Sequence, residues 1–257
     1  MLFVGVTVTS AVLLGSSWQH QGTKPCKRIE IAIEGQADNF FLDLSAIRTL
    51  VDPDNRLTGA AQADIYLGGI ERKLMRTLYV AKAVAYFTAD GILKVNVTLR
   101  KPFARVLDNN GYSFFVDSTG FKIPLASQYS ARTVLIRGSF TEHKSAAPVV
   151  TDSTLKELLP LAHYIAKDGF YKAQVSELIV NRYGEVTLVP QVGNTEVMLG
   201  RPVRYEEKLG TLLAFYRQVL NKSGWSYYRN INLKYAGQIV AVKANADTPA
   251  TDTKKPG

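Results

Sequence analysis

Polar and apolar residues alternate most cleanly in two stretches. In the first, Leu93, Val95, Val97 and Leu99 interleave with Lys94, Asn96 and Thr98, the period-two pattern of a half-buried strand. The second runs from Trp225 to Lys243 and reads WSYYRNINLKYAGQIVAVK. Asn230 to Tyr235 alternates, Ala236-Gly237 interrupts, and Gln238 to Lys243 resumes with Ile239, Val240, Ala241 and Val242, which predicts a hairpin. The following ANADTPATDTKKPG has no residue suited to covering a sheet edge. Gln238 to Val242 is therefore expected to form a terminal strand with one side unpaired.

Taken in order, the ordered chain is expected to begin at Arg28, with Ile29, Ile31 and Ile33 alternating in a strand that ends at Glu34-Gly35. Leu44, Ile47 and Leu50/Val51 fall at helical spacing before the stop Asp52-Pro53-Asp54-Asn55. Ile70, Leu74 and Leu78 lie four apart on one side of a second helix, with Glu71, Arg72, Lys73 and Arg76 on the other. Strands Val80 to Phe87 and Ile92 to Arg100 follow, joined by Ala89-Asp90-Gly91. Strand, helix, helix, strand, strand is a small α+β module with both helices on one face of a three-stranded sheet.

From Lys101-Pro102 onward, short strands dominate. Phe103 to Leu107, Tyr112 to Val116 and Arg132 to Ile136 are separated by the turn sequences Asp108-Asn109-Asn110-Gly111 and Asp117-Ser118-Thr119-Gly120. Thr154 and Glu157 read as a capping box opening a helix with Leu155, Leu158, Leu159, Ala162 and Ile165 on its core side, and Pro160 predicts a kink or late start. Strands Ala173 to Tyr183 and Glu185 to Gln191 come next, then a helix Tyr205 to Leu220 whose core side holds Leu209, Leu212, Leu213, Tyr216 and Leu220. The second domain is thus a mainly antiparallel sheet carrying two helices. The expected division is 1–18 membrane anchor, 19–27 linker, 28–101 first domain, 102–243 β domain and 244–257 disordered tail.

The anchor rests on composition. Met1 to Trp18 carries no charge and is mostly apolar, at the short limit for a spanning helix, and Trp18 suits an interfacial position. A signal peptide is the rival, but no Lys or Arg precedes Lys24. Over the whole 257-residue chain, Lys and Arg exceed Asp and Glu, 31 against 22, which favours an anionic partner: an acidic protein face, an anionic lipid surface or nucleic acid. The cations are scattered, with no basic stripe carrying interleaved aromatics, and this disfavours nucleic acid. One cysteine, Cys26, excludes an internal disulfide and reads as a free thiol.

Catalytic constellations are thin. His20, His143 and His163 have no carboxylate or second histidine at metal-ligand spacing, and no nucleophile elbow, Walker loop or dinucleotide fingerprint occurs. Glu206-Glu207 opens a helix, where the macrodipole accounts for it. The chain reads as a non-enzyme, with no catalytic residue, metal, cofactor or small-molecule substrate expected.

Several segments, in their order and spacing, resemble the bacterial cell-division family FtsQ/DivIB. They include Val95 to Val106 (VNVTLRKPFARV), Phe115 to Gly120 (FVDSTG), Asn181 to Pro190 (NRYGEVTLVP), Leu199-Gly200, Glu207-Lys208-Leu209, Gly224-Trp225 and Ile231 to Tyr235 (INLKY), the last ones matching the shorter form found in Bacteroidetes. The resemblance spans about residues 1–243. It implies a POTRA module followed by a β domain on a single-pass inner-membrane protein, with the bulk of the chain periplasmic and at the division septum. It further implies a scaffold that binds the coiled-coil division proteins FtsB and FtsL, by strand addition to the last strand and contact with a neighbouring helix, and helps control septal wall synthases. Carried over residue by residue, the docking positions are Tyr235, Gly237, Gln238, Ile239, Val240, Ala241 and Val242, with Trp225, Tyr227, Tyr228 and Arg229 as neighbours. A POTRA-bearing assembly factor for outer-membrane proteins is the alternative, disfavoured because the rest of the chain holds no long array of barrel strands.

Overall fold

The computed structural model describes residues 24–34, 41–126, 131–220, 224, 227–235 and 237–244. The apolar run 1–18, Trp225 and the tail beyond 244 lie outside these residues. Among the described residues no helix is long and apolar enough to cross a membrane. The chain divides into two compact units at Lys101/Pro102.

The first unit contains β1 (Arg28–Glu34), α1 (Leu44–Val51), α2 (Leu67–Met75), β2 (Val80–Phe87) and β3 (Ile92–Leu99). Its sheet has the order β1-β3-β2, with β1 parallel and β2 antiparallel to the central strand. The alternation in β3 has the expected result: Leu93, Val95, Val97 and Leu99 are buried with Ile47, Val51, Ile70 and Leu74. Asp43 caps α1 by accepting from the Ala46 amide at 2.7 Å. Beyond the helix, the buried Asp52 carboxylate accepts from the Arg56 and Leu57 amides, fixing the turn that the Asp-Pro sequence signals. Leu78, expected on the core side, is 46% exposed because α2 ends at Met75 and helical spacing no longer governs its direction.

Two features of this unit escape a pattern reading. Lys24 to Lys27, polar enough to read as linker, belongs to the fold. The Cys26 amide donates to Ala60 O at 2.8 Å, the Gln62 amide donates to Lys24 O at 2.9 Å, and the Cys26 side chain is buried. The other is Glu71, whose Oε1 accepts from the Ala85 amide at 2.8 Å. That amide points away from β3, so the carboxylate occupies part of the outer edge of β2.

The second unit contains β4 (Pro102–Asp108), β5 (Ser113–Asp117), β6 (Lys122–Ile123), β7 (Val134–Gly138), α3 (Ser153–Lys167), α4 (Gly169–Gln174), β8 (Val175–Val180), β9 (Val186–Pro190), β10 (Glu196–Gly200), α5 (Tyr205–Phe215), β11 (Tyr228–Asn232) and β12 (Val240–Lys243). They form one nine-stranded sheet, β12-β11-β10-β9-β8-β7-β4-β5-β6. Most of its strand pairs are antiparallel, as expected, but the sheet is mixed, since β4/β7, β7/β8 and β10/β11 pair in parallel. Two of these parallel pairs join strands separated by helices, as parallel crossovers require.

Three of its hairpins share one turn. Asp108, Asp117 and Asn181 each use the side-chain Oδ1 to accept from the amides two and four residues on. The glycine three residues on in each turn sits at positive φ, as Gly120 does at 78°. α3 departs from the expected capping box. Asp152 is the cap, its Oδ1 accepting from the Leu155 amide at 3.0 Å, while Glu157 reaches out to Arg201. The helix runs through Pro160, which lies on its exposed side. Leu161, rather than Leu159, is fully buried. A third helix, α4, replaces the start of the expected strand from Ala173, because Asp168 accepts from the Phe170 and Tyr171 amides and restarts the helix.

Candidate functional site at the terminal sheet edge

The two ends of the nine-stranded sheet are finished differently. At β6 the edge is covered: the Lys122 amide donates to Pro148 O at 2.8 Å, and Phe121 bridges Val149. Beneath this cover the Lys122 ammonium meets the Glu142 carboxylate at 2.9 Å, both side chains almost wholly buried. The other Glu142 oxygen accepts from the Thr151 amide at 2.5 Å and the Asp152 amide at 2.6 Å. Burial works against the charged carboxyl, but the bonds from Asp152, Lys122 and Thr151 outweigh it and hold Glu142 below the usual carboxylate range.

At the opposite end, β12 pairs with β11 on one side only. The strand is shorter than the expected Gln238 to Val242: regular pairing begins at Val240, opposite Asn232. β11 is also displaced, covering Tyr228–Asn232 instead of Asn230 to Tyr235, and residues 233–239 connect the two strands. Alternation continues past Asn232 in the sequence because Leu233 still packs into the core, its amide donating to Met198 O at 2.8 Å. Periodicity alone could not separate paired from merely packed residues.

The register settles which backbone groups of β12 are free. Amides alternate in direction along a strand. The Leu233 amide points at β10, so those of Asn230 and Asn232 point at β12 and their partners Val242 and Val240 point back. The Ala244 amide, which donates to Tyr227 O at 2.9 Å, confirms the alternation. Ala241 and Lys243 therefore turn their N–H and C=O groups outward. Ala241 and Ile239 pack toward the core, while Val240 and Val242 are 46% and 44% exposed on the other face.

The remaining expected residues cluster at the ends of this hairpin. Tyr227 and Tyr228 meet edge to face with centroids 4.9 Å apart, and Tyr228 also packs on Phe215 at 5.5 Å. Lys243 Nζ lies 5.3 Å over the Tyr227 ring, so its charge sits at the end of the edge. Arg229 is exposed at a bulge where the register slips between Tyr228 and Asn230. Tyr235, Gly237 and Gln238 are exposed and form one wall of a cleft of about 120 Å³, with Arg204, Lys208 and Thr211 on the α5 side. Trp225 lies outside the described residues.

Sequence reading missed what holds this region in place. Lys234 Nζ reaches Glu185 at 2.8 Å, tying the hairpin to the β8/β9 turn, and Lys234 and Asn181 hold the Glu185 carboxyl below its ordinary range. Gly200 lies against Lys234 with φ of 74°, and a β-carbon there would come within 2.9 Å of Lys234 Cγ. Lys208 donates to Leu199 O and Arg201 O, both at 2.9 Å; burial, with Arg204 nearby, lowers its affinity for a proton. Arg204 itself adopts the left-handed conformation, φ 49°, at the start of α5. Among the described residues no group of histidine, cysteine and carboxylate side chains is arranged to hold a metal.

A family model described as FtsQ/DivIB, C-terminal related, matches residues 101–242, more than half of the chain. The chain belongs to the FtsQ/DivIB family. A POTRA-like domain model matches residues 24–98, the strand-helix-helix-strand-strand unit described above. The Cell division protein FtsQ of Rhodothermus marinus is 27% identical over 245 residues, covering 93% of this chain and 85% of that protein. The Cell division protein FtsQ of Salinibacter ruber is 28% identical over 161 residues, 59% of each chain. The FtsQ/DivIB match to residues 101–242 includes β11 and nearly all of β12.

Proposed function

We propose that the chain is a non-enzymatic cell-division scaffold that receives a strand from an FtsB- or FtsL-like coiled-coil partner along β12 and so takes part in controlling septal wall synthesis. One observation supports this reading: among the described residues, the β6 edge of the nine-stranded sheet is covered by the chain itself and the β12 edge is not. An added strand would bond to the outward groups of Ala241 and Lys243. Its side chains would lie beside Val240 and Val242 on one face and toward α5 on the other. Membership of the FtsQ/DivIB family and the names of the two relatives supply the cell-division setting.

The register also chooses the test. Proline at Val240 would remove a bond inside the hairpin, whereas proline at Ala241 removes only an outward donor and obstructs the incoming strand. Ala241→Pro is expected to weaken binding of the purified partner at least tenfold, since each backbone bond contributes about 0.5–1.5 kcal/mol and the ring blocks more than one. The thermal midpoint should stay close to that of the parent. Parental affinity in this variant, measured by titration calorimetry, overturns strand addition at β12.

A further inference from the structure

We propose that the outward face of α2 in the first unit is a surface for anionic lipid, by which this unit lies against a bilayer. This rests on neither the docking edge nor the partner. Ile70 and Leu74 point α2 into the core, so at about 100° per residue the opposite face centres on Arg72, with Gly68, Gly69, Met75 and Arg76 around it. Tyr66 lies along this face: its ring covers Gly69, where an added β-carbon would come within 2.7 Å, and the Arg72 guanidinium stacks 4.8 Å above it. Yet the tyrosine is 65% exposed, and Met75 and Leu78 are 45% and 46% exposed.

Arg72, Lys73 and Arg76 are all exposed, and among the described residues no carboxylate pairs with Lys73 or Arg76. Glu71, the one acid on the helix, is turned to the Ala85 amide. Three cations flanked by one exposed tyrosine and two exposed apolar side chains fit a lipid interface, where charge meets headgroups and the apolar groups enter the acyl boundary. A soluble polyanion would give Met75 and Leu78 nothing to contact. Position agrees: Lys24 and Pro25 pair with Ala61 and Gln62, the segment that leads into Tyr66 and α2. The apolar run 1–18, expected as an anchor, would end six residues before Lys24, a span of at most about 20 Å.

The test uses the full chain with Met75→Cys carrying a bimane probe; the native Cys26 is buried and escapes labelling. The protein is combined with phosphatidylcholine vesicles, with or without phosphatidylglycerol, containing a doxyl-lipid quencher. Quenching is expected only with phosphatidylglycerol. Replacing Arg72, Lys73 and Arg76 together by glutamine should lower the docked-to-free ratio of the unit about a hundredfold. Equal quenching in neutral vesicles, no quenching in either, or unchanged quenching after the triple replacement overturns the proposal. So does equal quenching of a probe at Tyr183→Cys in the second unit, which would mark adsorption by net charge alone.

Discussion

Glu142 is a single side chain on which the covered edge depends. It neutralises Lys122 and accepts the amides of Thr151 and Asp152, which lead into α3. Removing its charge strands a buried ammonium, so Glu142→Gln should cost about 3–5 kcal/mol. This is read as a lower urea midpoint at unchanged slope. Glu142 and Asp152 both lie below their ordinary range in the folded chain, although burial opposes ionisation in each. Their stabilisation is complete above the unfolded-state values, about 4, and is lost as pH falls through the lower folded values. The acid limb of stability against pH should therefore be shallower in Glu142→Gln. Residues of this kind were hard to read: Asp108, Asp117 and Asn181 announce their turns through the glycine three residues on, but nothing near Glu142 in sequence marks Lys122 as its partner. The cap of α3 is ambiguous in the sequence for a related reason. Asp152, Ser153 and Thr154 are all competent caps, and the choice fell to Asp152, whose second oxygen also accepts from Thr141.

At the scale of elements, α5 is positioned by contacts from three directions. Tyr171 in α4 donates its hydroxyl to Leu209 O at 2.5 Å, and burial raises the pKa of that phenol well above its usual value. Lys208 ties the helix to the end of β10, and Phe215 packs on Tyr228 of the hairpin. Tyr171→Phe is expected to cost about 1–2 kcal/mol and to leave the β12 backbone intact. Partner affinity should fall less than in Ala241→Pro, and a larger fall would show that α5 rather than the edge dominates binding. In the first unit, Glu71 guards β2. Glu71→Ala should free the outward Ala85 amide and promote pairing between copies, seen as a concentration-dependent dimer in analytical ultracentrifugation. The helices and central strands were legible because burial on one face imposes a period. The ends of β11 and β12 were not, because they depend on pairing with β10 and on a bulge.

For the molecule as a whole, most of the order of elements follows from local pattern, with β6 and α4 the exceptions. The strand order did not follow, because parallel joins such as β10/β11 link segments far apart in sequence. The closed end of the nine-stranded sheet has a consequence for valency. Under the proposed strand addition, a sheet that can grow at one end seats one strand at a time, so this surface would be monovalent. Two different coiled-coil proteins cannot both extend it. They must compete for β12, or one must ride on the other. Saturating a complex with the first partner and adding the second should therefore give either displacement or a ternary assembly held through the first. A complex with two independently added strands on this sheet would overturn that reading.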